Sequence, residues 1–123
     1  MEKTKSPKQY DLEDRTFRFA KQCRDFIEKI PKTRANIEYI EQLIRSSGSQ
    51  AANYIEANEA ISRKDFFHRI KICRKESKES RLWLRLLHVH DKEKDEQEEL
   101  IQESLELTRI FGSIVEKEKN RNI

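Results

Sequence analysis

The stretch RSSGSQAANYIEANE, Arg45–Glu59, restricts what this chain can fold into more than any other. It lies inside a run where Ile37, Ile40, Ile44, Ser47, Ala51, Tyr54, Asn58 and Ile61 recur at gaps that alternate between three and four. That spacing lines one face of a helix. A helix over Thr33–Ala60 is predicted, capped by Thr33. The middle of the face is small, with Ser46, Ser47, Gly48, Ser49, Ala51 and Ala52. Small side chains at a seam let neighbouring backbones approach closely. The far end turns polar at Asn53, Glu56, Asn58 and Glu59. Gly48 admits two readings, a break in the helix or a close helix contact. An interior glycine costs about 1 kcal/mol relative to alanine. The core spacing passes through Gly48 without a phase change, which favours one continuous helix.

Similar spacing recurs in three further segments. Asp11 is a fair cap for a first helix, with Glu13 and Asp14 in its first turn. Thr16, Phe19, Cys23, Phe26 and Ile30 form its stripe, and Pro31 ends it. Ser62 opens the third helix, with Asp65 completing a variant capping box. Its stripe is Phe66, Ile70, Cys73, Ser77, Ser80, Leu84 and Leu87. The small run Cys73–Ser77–Ser80 is expected to face the small run of the second helix, as a tight antiparallel pair. His88–Lys94 is the expected turn. A fourth helix, Lys94–Lys119, uses Ile101, Ser104, Thr108, Phe111 and Val115, with Lys117, Lys119 and Arg121 at its negative pole. Two glycines and two prolines leave few sharp turns, and no alternating strand-like run occurs. The expected fold is all-α, an antiparallel up-down-up-down four-helix bundle over residues 11–119. Residues 1–10 and 120–123 are expected to be loose polar tails.

Several function classes find no support in the sequence. No apolar run approaches the ~18–20 residues of a membrane span. The opening MEKTKSPKQY lacks the apolar core of a signal peptide, so a cytoplasmic location without membrane contact is expected. Cys23 and Cys73 fall on core stripes and read as reduced, small core hydrophobes. There is no glycine-rich phosphate loop, nucleophile elbow or Cys-x-x-Cys pair. A non-enzyme is therefore expected, with no cofactor, metal or small-molecule substrate. Glu56 and Glu59 are three residues apart, as are Glu76 and Glu79, so each pair shares a helix face. A di-iron site requires Glu-x-x-His motifs, and no histidine stands at those spacings. The favoured reading is a hydrogen-bonded network of Asn53, Glu56 and Arg74, with Glu59, Glu76 and Glu79 beside it, fixing helix register or a subunit contact. His88, His90 and Asp91 form a turn read as polar, the alternative being a weak metal site.

Charge is unevenly spread. The formal net charge is +3, yet residues 63–90 carry +6 and residues 91–119 carry −5. Lys71, Arg74, Lys78, Arg81 and Arg85 fall within about 80° of arc at about 100° per residue. The stripe lies about 110° round from the core seam, facing solvent or a neighbouring subunit. Such a row can neutralise the phosphates of a nucleic-acid backbone. The alternative is a solvated face paired with Glu96, Glu99, Glu103 and Glu106 of the acidic fourth helix. Base-specific readout is not expected, since no nucleic-acid motif is present. Apolar residues also lie off the stripes, with Ile72, Trp83 and Leu86 on the third helix and Leu107, Ile110 and Ile114 on the fourth. They form either a broad core edge or a subunit interface, and the interface is the expected role.

The segment RSSGSQAANYIEANEAISRKDFFHRIKICRKESKESRLWLRLL resembles the signature of a family of small bacterial four-helix-bundle proteins. These are also known as 23S rRNA-intervening-sequence or S23 proteins. DLEDRTFRFA and IPKTRANIEYIEQLIRSSGS fit the same pattern, so the resemblance covers about Tyr10–Leu87. It implies an all-α bundle of a kind often encoded within intervening sequences of large-subunit ribosomal RNA genes. It implies self-association too, since some members form homopentamers. A related branch serves diversity-generating retroelements, partnering a reverse transcriptase and contacting nucleic acid. RNA or a nucleic-acid-handling protein is the partner class so implied. The family pattern places Ser46, Ser47, Ala52, Asn53 and Glu56 on the second helix, and Glu76 and Glu79 on the third.

Overall fold

The computed structural model describes residues 12–121, with side chains through Lys119. The expected N-terminal tail, residues 1–10, and the expected cap Asp11 lie outside the described residues, as do residues 122–123 of the expected C-terminal tail, whereas its residues 120 and 121 are the end of the last helix. Four α-helices follow one another: α1 (Leu12–Ile27), α2 (Arg34–Asn58), α3 (Arg63–Leu86) and α4 (Lys94–Arg121). A 3-10 turn, Asp91–Glu93, precedes α4, and no strand occurs among the described residues.

Local chemistry sets the helix ends. The Thr33 hydroxyl accepts from the Asn36 amide, and the Ser62 hydroxyl accepts from the Asp65 amide. Each bond satisfies a donor that the first helical turn leaves free. α1 stops at Ile27, earlier than the stripe through Ile30 predicts. The residue before Pro31 avoids the helical region, so the chain leaves the helix over a turn. Lys32 then donates from Nζ to the Ile27 and Ile30 carbonyls, at 2.7 and 2.8 Å. Ile30 is buried all the same. At the end of α3, Gln97 donates to the carbonyls of Leu84 and Leu87.

The core is drawn from all four helices. It joins Phe19, Cys23 and Phe26 of α1 to Leu43 of α2, Ile70, Cys73 and Leu84 of α3, and Leu107 and Phe111 of α4. The small runs of α2 and α3 meet as the sequence predicts. Ser46 and Ser80 are both fully buried, and their hydroxyls lie 2.8 Å apart. Farther along, Arg69 donates to Asn53 Oδ1 at 2.9 Å, and Asn36 reaches His88. Residue numbers thus fall on α3 as they rise on α2. Order reverses likewise between α1 and α2, where Glu13 meets Asn58 and Thr16 meets Gln50, between α1 and α4, where Arg15 meets Glu103 and Lys29 meets Glu96, and between α3 and α4, where Lys71 meets Glu118 and Leu84 meets Gln97.

Helix α2 departs from the expected face. Ile37 and Ile44 are 45% and 51% exposed, Ile61 is 98% exposed, and Asn58 also faces solvent. The buried side is Asn36, Leu43, Ser46, Ser47, Gln50 and Ala57. Polar side chains accompany this rotation by bonding backbone groups inside, although the Gln50 Oε1 is buried without a partner. Gln50 donates to the carbonyls of Thr16 and Ser47, both at 2.9 Å. The helix does run unbroken through Gly48, as expected. The close-contact reading of Gly48 fails, because a Cβ built there meets no heavy atom within 4 Å.

Asn36 ties two connections together. Its Nδ2 donates to the Pro31 and His88 carbonyls, each at 2.8 Å, and its Oδ1 accepts from the His88 amide at 3.0 Å. The side chain is fully buried. Removing it strands part-buried backbone groups of Pro31 and His88, and an unsatisfied buried group costs about 1–3 kcal/mol. Asn36→Ala should lower unfolding free energy by roughly 2–4 kcal/mol, read as the urea midpoint at unchanged slope. A change under about 0.5 kcal/mol would show that this tie carries no stability.

Candidate nucleic-acid interface

The basic stripe follows from the phase of α3. The helix buries Ile70, Cys73, Ser77, Ser80 and Leu84. Residues on the opposite arc must face outward. Lys71, Arg74, Lys78 and Arg85 are exposed, and Arg81 is half-buried. The Arg81 Nε is buried without a hydrogen-bond partner. Lys75, which the sequence reading omitted, is also exposed, four residues after Lys71 on the same face. Its signal was that spacing. Lys71, Arg74, Lys75, Lys78 and Glu79 line a cavity of about 330 Å³. Arg74 lies against Gly112 of α4, where a Cβ would stand 3.5 Å from its Nε.

The acidic face of α4 turns elsewhere. Arg15 of α1 donates to both Glu103 oxygens at 2.7 and 2.8 Å, and to Glu106 at 2.7 Å. Lys29, just beyond α1, pairs with Glu96 at 2.9 Å. The one α3–α4 ion pair among the described residues is Lys71–Glu118, at 3.5 Å. Arg74, Lys75, Lys78, Arg81 and Arg85 form no ion pair with another described residue. The alternative reading, a face paired with Glu96, Glu99, Glu103 and Glu106, finds no such pair among the described residues: Arg15 and Lys29 take Glu96, Glu103 and Glu106, and Glu99 forms no ion pair with a described residue.

The expected polar network divides in two. Asn53 pairs with Arg69, not Arg74, and also donates to the Ser49 carbonyl and hydroxyl. Arg45 stands 3.7 Å from buried Glu76 and 3.4 Å from Glu79. Glu56 and Glu59 are exposed and join neither group. Arg45 and Arg69, which sequence reasoning missed, thus add polar contacts between α2 and α3 at the rims of the Ser46–Ser80 seam. Among the described residues no group of three or more His, Cys, Asp or Glu is placed to hold a metal ion. His88 and His90 are exposed at the turn.

Of the apolar residues expected at an interface, Leu107 is fully buried in the core and unavailable. Core packing claims it because α4 buries Leu100, Ser104, Leu107, Phe111 and Val115, a stripe turned from the predicted one. Trp83, Ile110 and Ile114 are half-buried against that core, and Trp83 stacks on Tyr39 with centroids 6.1 Å apart. Ile72 is half-buried and Leu86 is 44% exposed. Both cysteines are buried and unpaired by any disulfide. Burial keeps their thiols protonated, pushing Cys73 up to about 12.

The Arg15 cluster has a pH signature. A hydrogen bond from Gln102, and then one from Arg15, hold Glu106 below the usual carboxylate range. A depressed folded pKa contributes stability above the unfolded value of about 4.3, and that contribution is lost as pH falls through the folded value. The melting temperature should therefore drop below about pH 4, and less steeply in Arg15→Gln. Identical acid limbs in melts of the two proteins would contradict this.

No curated protein matches the chain. A solved structure does resemble it, a protein of unknown function from the S23 ribosomal protein family of Bacteroides thetaiotaomicron VPI-5482. The two are 27% identical, with a TM-score of 0.74 over 85% of this chain and 94% of that one. A family model described as 23S rRNA-intervening sequence protein matches residues 8–113. The four helices and the seam at Ser46 and Ser80 lie almost wholly within that match, and the chain belongs to the 23S rRNA-intervening sequence protein family.

Proposed function

We propose that this protein is a non-enzymatic cytoplasmic scaffold that binds the phosphate backbone of RNA through the outward face of α3. One observation carries the reading. Glu96, Glu103 and Glu106 of α4 pair with Arg15 and Lys29, and the stripe cations of α3 have no described counter-ion apart from that of Lys71. Unneutralised cations in a row are the feature that phosphate recognition uses, and they confer no base readout. The reversed residue order across every helix pair supports an antiparallel up-down-up-down bundle as the frame.

Self-association is a second reading. It is favoured by large apolar side chains left in solvent, Phe17, Ile37, Ile44 and Ile55 on one side and Leu82 and Leu86 on another. A protein-partner module with charges serving only solubility is the rival to RNA binding.

Fluorescence anisotropy with a structured RNA, titrated at several salt concentrations, separates them. Engaging five cations gives a slope of log K against log salt of roughly −4, so affinity falls about 100-fold or more between 50 and 200 mM salt. Joint Lys71→Glu, Arg74→Glu and Lys78→Glu substitution should abolish binding while circular dichroism stays unchanged. Undiminished binding in that variant would refute the stripe, and absence of salt-dependent affinity in the native protein would favour the rival.

A further inference from the structure

The aromatic rings of α3 are already engaged within the protein. Phe67 stands in line with the basic stripe, one turn before Lys71, yet it is only 7% exposed. Phe66 meets its ring edge-on at 5.2 Å, and the Arg63 guanidinium lies over it, 5.5 Å from the centroid. Trp83 lies about 120° or more round the helix from all the stripe cations, at about 100° per residue. Its ring stacks on Tyr39 and packs against the core, and its Nε1 is buried. On the adjacent α4, Phe111 is fully buried beside Tyr54. Phe17 is 58% exposed, but α1 touches α2 and α4 and not α3 among the described residues.

This arrangement bears on the form of the RNA. Proteins hold unpaired strands by stacking successive bases on aromatic rings, each stack worth about 1–3 kcal/mol. Among the described residues, no ring beside the stripe offers a base a free face. The cations themselves form a stiff, nearly straight row. Lys71 to Arg85 spans about 21 Å of one helix within about 80° of arc. One end of the row is braced by α4, where Lys71 meets Glu118 at 3.5 Å and Arg74 lies against Gly112. A flexible strand must lose conformational entropy to lie along such a row. A duplex is already stiff over lengths far greater than this.

We infer that the ligand of the α3 face is a base-paired RNA stem, held by the density of its phosphates while its bases stay stacked in the duplex. Counterion release sets the size of the preference. A contact releases about 0.9 ions from a duplex and about 0.7 from a single strand, so five contacts favour the duplex about tenfold at 0.1 M salt. Base stacking on the protein does not offset this, because the rings are engaged.

This inference rests on the proposed RNA binding by α3 and narrows its ligand. Fluorescence anisotropy at 0.1 M salt tests it, with a blunt RNA duplex, oligouridylate and oligoadenylate of equal phosphate number. The duplex should bind about tenfold more tightly than either strand. The two strands should bind within about twofold of each other, since no stack distinguishes them. Emission of Trp83, the one tryptophan of the chain, should stay unchanged as each RNA approaches saturation. Three results overturn the paired-stem assignment and leave phosphate binding by α3 standing. They are an unpaired strand that matches the duplex, quenching of Trp83, or oligoadenylate binding at least about fivefold more tightly than oligouridylate, the worth of one weak stack. Absence of salt-dependent affinity for all three RNAs overturns RNA binding by α3 itself.

Discussion

The arrangement depends on the absence of bulk between α2 and α3. Ser46 and Ser80 meet across that seam, and Ser47, Ser77 and Cys73 are buried near it. One hydroxyl–hydroxyl bond contributes only about 1 kcal/mol. The larger consequence is steric, because a leucine at either serine would have to be fitted into a packed interior at a cost of about 1–3 kcal/mol. With the seam closed, larger side chains move to its rims. Tyr39 stacks on Trp83 at one level, and Tyr54 packs near Phe111 at another.

That geometry also distributes charge. α4 neighbours both α1 and α3, and each offers cations. Arg15 and Lys29 take Glu103, Glu106 and Glu96, so the electrostatic attachment of α4 is made mainly to the first helix and its end. These pairs are partly exposed and worth little individually to stability. Their effect is positional, since they draw the α4 carboxylates away from α3. The basic face of α3 is then left as a field source along one side of the molecule.

The helix ends and the serine seam were legible because they rest on local chemistry. Thr33, Ser62 and Pro31 act within a turn of their own positions. The phase of α2 was less legible, since its three isoleucines look like core while the buried side includes Asn36 and Gln50. Those amides are buried because they satisfy backbone groups distant in sequence, at His88 and Thr16. Leu107 was misplaced for a related reason, as the polar face of α4 is drawn toward Arg15. Composition alone does not choose between α1 and α3 as the partner of α4, because both carry arginine and lysine. Lys75 was readable from its spacing. Arg45 and Arg69 were not, because their partners lie on another helix.

The central claim is that phosphate meets this protein on α3. Backbone amide chemical shifts, followed as a short structured RNA is added at low salt, test it most directly. The account predicts perturbations concentrated over Lys71–Arg85, with α1 and the outward isoleucines of α2 unmoved. Perturbations centred on α1 and α2, or none at all, would contradict it.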